Sequence, residues 1–495
     1  MRATEKCVLA RARWAASRAG SRSGRASSGI GTWKVVGCSA AQGAALSPKI
    51  TTRPDRFSLP AREMWLGSVN FTVLLTSATQ QGDFVLKEKD LIHDWNQSES
   101  SFDWSAVGEI QLDDETLRDG LQNSSVVDPS IGDKIELLHL MDGLGIHTAD
   151  IGLPGAGPRA VNAVRGLAQE IVDSGLSITA NCAARTMIAD VEPIAEISQS
   201  VGVSIEVCTF IGSSPIRQYT EEWTLDKILA TSEEAVTFAV AQGLPVLMVT
   251  EDTTRTRPDD LKAIYTAAIE WGAKRLCLAD TVGHATPEGT RALVRFVIEE
   301  IVEPSGEDIG VDWHGHRDRG FGLANALAAI EAGATRVHGT ALGIGERSGN
   351  TEMDLLLVNL KLLGVHDADL TTLPEYCRLT ARACGVPLVH SYPVVGEDAF
   401  RTGTGVHAAA IVKAEAKGDA WLADRIYSGI PASMVGLRQR IEVGPMSGLS
   451  NVKYWLREHG FDPNDDALCS RVFDAAKSTD HTLSEQEIRA VCAES

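Results

Sequence analysis

The sequence predicts a (β/α)8 TIM barrel carrying a helical C-terminal subdomain. Two observations lead there. Between about residues 107 and 365, short apolar runs alternate with longer stretches of helical period, and the alternation repeats eight times. Eight β-α units in that length match a closed parallel barrel in count and size. An open, doubly wound parallel sheet is the alternative that the pattern alone leaves standing.

The strands are expected at Glu109–Asp114, His147–Gly152, Leu176–Ala180, Ser204–Phe210, Pro245–Thr250, Arg275–Ala279, Gly310–Trp313 and Arg336–Gly339. Helices are expected between them at Ile131–Leu144, Pro158–Asp173, Leu225–Gln242, Pro258–Trp271, Pro287–Ile301, Gly322–Ala332 and Asn350–Leu363. Several open on Pro or follow Ser, Thr or Asp, as helix starts do. After Val365 the β-α repeat stops. Pro374–Ala383, Gly405–Ala416, Ser450–His459 and Ala467–Ala476 read as helices of a subdomain spanning 366–495.

Residues 1–100 read as a basic, disordered extension ahead of the barrel. Its first 63 residues hold twelve Lys/Arg against three acids. A targeting segment, a disordered arm and an upstream stretch from a misplaced start all fit, with Met64 as the other initiator. The chain's net charge of −20 therefore leaves the remainder near −29. So acidic a body argues against nucleic acid as a partner, because phosphate binding needs a basic face. No run of eighteen apolar residues marks a membrane span, and a cytoplasmic location is the default expectation. Nine cysteines are scattered without a Cys-x-x-Cys pair. That usage suits a reducing compartment, and no thiolate zinc site is expected.

Barrel enzymes place their chemistry at the carboxyl ends of strands. The first expected strand runs into Asp113-Asp114-Glu115-Thr116-Leu117-Arg118-Asp119-Gly120. A carboxylate beside a guanidinium can hold a cation and an oxyanion together; a charged turn would use the same residues. The seventh ends in Asp312-Trp313-His314-Gly315-His316. Residues two apart in a strand share a face, so both imidazoles can turn to the barrel mouth. Two imidazoles with one carboxylate, here Asp119, suit Zn²⁺, Mn²⁺ or Fe²⁺. Asp318 is expected to orient the site from behind. The eighth strand leads into Gly339–Asn350, whose four glycines and buried Glu346-Arg347 pair suggest a tight loop over the mouth. No Gly-Lys-Ser/Thr follows, so it is not a phosphate-binding loop.

These residues carry a resemblance. Asp114 through Gln122 resembles the first signature of the DRE-TIM metallolyases, and His314–Gly320 with Ala324-Asn325 and Ala332-Gly333-Ala334 resembles the second. Gly339-Thr340 through Gly349-Asn350 is similar to the loop of isopropylmalate, homocitrate and citramalate synthases. Asp280-Thr281-Val282-Gly283 with Thr286-Pro287, and Thr209-Phe210 with Ser214-Pro215, also match. Gly120-Leu121-Gln122-Asn123 looks more like the hydroxymethylglutaryl-CoA lyase branch. Against that branch stand the Gly-Glu-Arg-x-Gly-Asn loop, which lacks the lyase's reactive cysteine, and the later Gly405-Val406-His407, Tyr427, Pro431, Gly436 and Ser447-Gly448.

The resemblance implies that Asp119, His314 and His316 bind a divalent metal (Mg, Mn or Zn), with Asn350 near or on it. It implies acetyl-CoA as co-substrate, condensed with a 2-oxo acid, and a homodimer in which the appendage lends His407 and Tyr427 to a partner's site. Arg118 would then steady developing negative charge. His407 aided by Glu251 would take a methyl proton, although Glu251 could equally be a helix-capping or salt-bridging acid. Thr281, Gln122 and Ser214 would contact substrate. The expected acid is 3-methyl-2-oxobutanoate, giving 2-isopropylmalate. Homocitrate, citramalate or citrate formation, hydroxyacyl-CoA cleavage and a catalytically dead barrel are the rivals. One position departs from the family: Cys208 stands where a His usually precedes Thr-Phe. No regulatory domain for leucine is expected after the appendage.

Overall fold

In a computed structural model, residues 88–98 and 101–493 are described. The basic head, Met64 and most of the expected extension lie outside them; of residues 1–100, the described part includes a helical turn at Glu88–Leu91.

Eight parallel strands close into a barrel: β1 (Gln111–Asp114), β2 (Thr148–Asp150), β3 (Thr179–Arg185), β4 (Ile205–Gly212), β5 (Val246–Glu251), β6 (Arg275–Asp280), β7 (Gly310–Gly315) and β8 (Arg336–Gly339). Closure is made by β1 lying beside β8 from Gln111 opposite Arg336 to Asp114 opposite Gly339. The open-sheet alternative is thereby removed. The expected β3 was placed too early. Ser177 and Ile178 are held as a loop by their amides donating to Asp142 (2.8 and 2.9 Å), and the strand follows in Thr-Ala-Asn-Cys-Ala-Ala-Arg. Small residues there hide the apolar signal a strand normally gives. A helix at Ile188–Val201, carrying Pro193, fills the interval before β4 and was not among those expected.

Strand alternation sorts the side chains into two layers. Val311 and Trp313 of β7, Val207 of β4 and Val337 of β8 enter the apolar cluster shared with the surrounding helices. The residues between them turn inward, and low in the barrel many are charged. Arg336 of β8 reaches across to Glu206 of β4 (2.6 Å) and also donates to Asp312 of β7 (2.6 Å). Asp312 accepts as well from Arg275 (2.7 Å) and His338 (3.0 Å). Despite complete burial, which opposes ionisation, these cations hold Asp312 well below the usual carboxylate range. Buried charges this well partnered give the mouth above them a rigid floor.

The boundary expected at 365 is not a break in packing. In the helix Leu373–Cys384, Tyr376 is fully buried and its hydroxyl donates to Asp114 of β1. The barrel's apolar cluster continues through Phe400 and Val435. A second cluster, built from Val443, Trp455, Leu456, Val472 and Ile488, organises the last three helices. Between them sits a two-residue parallel ribbon pairing Arg401–Thr402 with Arg440–Ile441.

Candidate metal centre and active-site cavity

The carboxyl ends of the strands enclose a cavity of about 250 Å³. After β1 the chain turns through a short helical turn, Asp119–Gln122, which swings Arg118, Asp119 and Gln122 over the mouth. Opposite, β7 delivers His314, and His316 follows at its exit. Asp119 Oδ2 lies 3.4 Å from His314 Nε2 and 3.5 Å from His316 Nε2. One ligand atom from each of the three falls within 4.8 Å of the others. All three residues are buried.

The donor set fits a divalent cation. His314 Nδ1 lies 2.8 Å from Glu115 Oε2, which leaves Nε2 facing Asp119. Asp119 Oδ1 and His316 Nδ1 are buried without hydrogen-bond partners among the described residues. Burial resists ionisation of Asp119, yet Arg118 and the two imidazoles bring its pKa down to about 2. The carboxylate is therefore ready to ligate at any ordinary pH.

Arg118 is held by three acids: Asp150 at 2.6 Å, Glu115 at 3.0 Å and Asp119 at 3.4 Å. Burial disfavours its charge, but these carboxylates raise its pKa far above the ordinary value. Thr281, just past β6, lines the same cavity; its hydroxyl accepts from the Asp252 amide (2.8 Å). Glu251 ends β5 at the rim, 3.5 Å from Arg217. Burial raises its pKa, against the pull of Arg217.

Two expectations come out differently, and two further residues lie outside the cavity lining. Ser214 does not line the cavity. Its hydroxyl donates to Asp252 and caps the helix Pro215–Glu221. Asp318 does not touch the imidazoles; it pairs with Arg347 (2.8 Å), whose guanidinium also reaches the Thr281 carbonyl (2.6 Å). The Glu346-Arg347 pair is exposed rather than buried, with Glu346 overhanging the cavity. Asn350 is bridged to His316 through the backbone, but its amide donates to Ile344 O (3.1 Å) and the side chain is not among those lining the cavity. Its Oδ1 is buried and unpartnered.

His407 and Tyr427 stack on each other with ring centroids 4.2 Å apart. Both are exposed on the subdomain, and neither lines this chain's cavity.

Two residues of the site were overlooked in the sequence. Glu115 takes the orienting place given to Asp318. His338 of β8 lines the cavity and joins Glu115 Oε1 (2.9 Å) to Asp312 Oδ2 (3.0 Å). Burial opposes its protonation, but Asp113, Asp312 and Glu115 raise its pKa to about 10. Strand parity could have found both: Glu115 lies two residues beyond inward-facing Asp113, and His338 two beyond Arg336.

Fold and donor cluster together define the class: a parallel (β/α)8 barrel with a candidate metal centre at its mouth. The family model described as HMGL-like matches residues 109–379, and the chain belongs to that family, as its motifs implied. It is similar to the Methanopyrus kandleri protein named "Probable 2-isopropylmalate synthase", 33% identical over 363 residues, 72% of this chain and 68% of that one. "Homocitrate synthase AksA" of the same organism is 33% identical over 373 residues, 73% of this chain and 87% of that one. "Homocitrate synthase 1" of Nostoc sp. is 30% identical over 376 residues, with coverages of 75% and 92%. Among the described residues, no helix is long and apolar enough to cross a membrane.

Proposed function

We propose that this chain is a metal-dependent acyltransferase that condenses acetyl-CoA with a 2-oxo acid, with 3-methyl-2-oxobutanoate as the acid and 2-isopropylmalate as the product. The observation that carries this reading is the convergence of Asp119, His314 and His316 beside Arg118 and Thr281. Relatives named 2-isopropylmalate synthase and homocitrate synthase support the condensation itself.

Asp119, His314 and His316, with Asn350 beside them, would hold a divalent cation, which would supply Lewis acidity for polarising the oxo acid's ketone. Arg118 steadies the oxygen on which negative charge grows; its three carboxylates fix the guanidinium in advance, so little reorganisation is needed. Thr281 and Gln122 orient the acid. Glu251, with His407, removes a proton from the acetyl methyl, a task that its raised pKa favours. The resulting carbon attacks the ketone carbon, the new alkoxide takes up a proton, and water cleaves the thioester to release CoA.

His407 and Tyr427 come to the cavity from a second copy of the chain, making the enzyme a homodimer. Supporting this, Val406 and Met446 are 73% and 72% exposed, and the Gly405 amide donates to the Met446 carbonyl (3.1 Å), so an apolar patch adjoins the stacked pair. Free-CoA release from acetyl-CoA in the presence of each candidate acid tests the proposal. Acid-dependent release is expected. Cleavage of hydroxymethylglutaryl-CoA with no such release would instead establish the lyase reading that Gly120-Leu121-Gln122-Asn123 favours.

A further inference from the structure

The cavity has two unlike halves. The turn after β1 and the carboxyl ends of β7 and β8 supply its charged side, with Arg118, Asp119, Glu115, His314, His316 and His338. Below Glu251, which stands at the rim on β5, strands β3 to β6 supply a wall of Ala183, Cys208, Leu247, Val249, Cys277 and Ala279. Cys208, Leu247 and Cys277 form their own small apolar cluster, with Val249 packed against it. We infer that this wall is the side-chain pocket of the 2-oxo acid, and that it selects an uncharged aliphatic side chain over one ending in a carboxylate. The inference rests on the proposed orientation, in which the acid's carboxylate and ketone meet the charged half.

Three observations carry it. Arg118 is the one Arg or Lys among the described residues lining the cavity, and three acids already hold it on the opposite side. The cations beneath the wall are also committed: Arg336 to Glu206 and Asp312, and Arg275 to Asp312. A second carboxylate pushed against the wall would be desolvated without a partner and would face Glu206 below, both of which disfavour it. Finally, the thiols do not supply polarity. Burial pushes both Cys208 and Cys277 well above the ordinary thiol range, so both stay neutral. Methyl-sized groups find complementary surface there, whereas charge finds none.

The test is a panel of 3-methyl-2-oxobutanoate, pyruvate, 2-oxoglutarate and oxaloacetate, assayed by CoA release and, separately, by calorimetric binding to the metal-loaded protein. The aliphatic acids should exceed the dicarboxylates in binding and in kcat/KM by about 100-fold or more, since a site without a partner rejects a polar group strongly. Cys208→Leu narrows the wall; it should raise KM for 3-methyl-2-oxobutanoate about tenfold while leaving pyruvate within about threefold. Val249→Ala widens it and should improve relative use of 4-methyl-2-oxopentanoate, which keeps the test alive if the first variant does not fold. Equal or better binding of a dicarboxylate, or variants that leave the chain-length preference unmoved, overturns the pocket. Aliphatic binding without CoA release would sink the condensation and leave the pocket. CoA release with a dicarboxylate would do the reverse.

Discussion

Glu115→Gln is the most informative single change. The two oxygens of Glu115 face three groups: Oε1 accepts from Arg118 (3.0 Å) and His338 (2.9 Å), and Oε2 lies 2.8 Å from His314 Nδ1 as an ion pair. A glutamine offers one acceptor oxygen in their place. Arg118 and the imidazolium of His338 are both cationic, so the oxygen turns to them and the amide NH2 turns to His314. His314 Nδ1 must then become an acceptor, which moves its proton to Nε2, the atom that faces Asp119. A protonated Nε2 cannot ligate a metal. Loss of an orienting partner of this kind typically weakens metal affinity about 10- to 100-fold, or about 1.4 to 2.8 kcal/mol. Calorimetric titration of Zn²⁺ and Mn²⁺ into chelator-treated wild type and variant at one pH would measure it, with a thermal melt to check folding. A folded variant whose affinity stays within about twofold of wild type would refute the tautomer argument, because that argument needs the full swap at Nε2.

Other outcomes follow from the same geometry. His316→Ala should abolish bound metal and turnover together, as judged by elemental analysis of the purified protein and by CoA release; retained activity would remove the metal from the chemistry. His407→Ala should keep metal while slowing turnover about 10²- to 10⁴-fold, the usual contribution of a proton-transfer residue. If each cavity draws His407 from a second copy, mixing the inactive His316→Ala and His407→Ala proteins should restore about a quarter of wild-type activity through hybrid dimers with one intact site. No recovery after verified subunit exchange would place His407 outside the active site. For Asp114, burial outweighs the hydrogen bonds from Tyr376 and Thr116 and raises the carboxyl from 3.8 to about 7. The folded state then binds this proton more tightly than the unfolded one. Its stabilising effect is complete below about pH 4 and is lost as pH rises towards 7. Urea unfolding of Asp114→Asn between pH 4 and 7.5 should lack that part of the decline; an identical slope in both proteins would contradict it.

Much of this architecture was readable in one dimension. Eight apolar runs separated by helical stretches predict the barrel because each strand must bury its face against flanking helices, a requirement that leaves a local mark. The pattern failed at β3, where Ala, Asn and Cys replace the usual Val and Ile, since small side chains pack against a barrel without announcing it. His314 and His316 were legible because strand geometry puts residues two apart on one face, and Asp119 because it follows β1 so closely. The settings of Ser214, Asp318 and the Glu346-Arg347 pair were not legible because their neighbours lie far away in sequence: Asp252 for Ser214, and the Thr281 carbonyl for Arg347.

The sequence by itself determined the fold class and the residue types that could gather at the barrel mouth, because backbone periodicity and strand parity are local properties. Only the tertiary structure decided which carboxylate stands behind His314, that Arg336 spends its charge on Glu206 and Asp312, and that the wall from β3 to β6 is apolar. Those outcomes depend on partners tens to hundreds of residues apart, brought within hydrogen-bond reach when β1 meets β8 and the sheet closes.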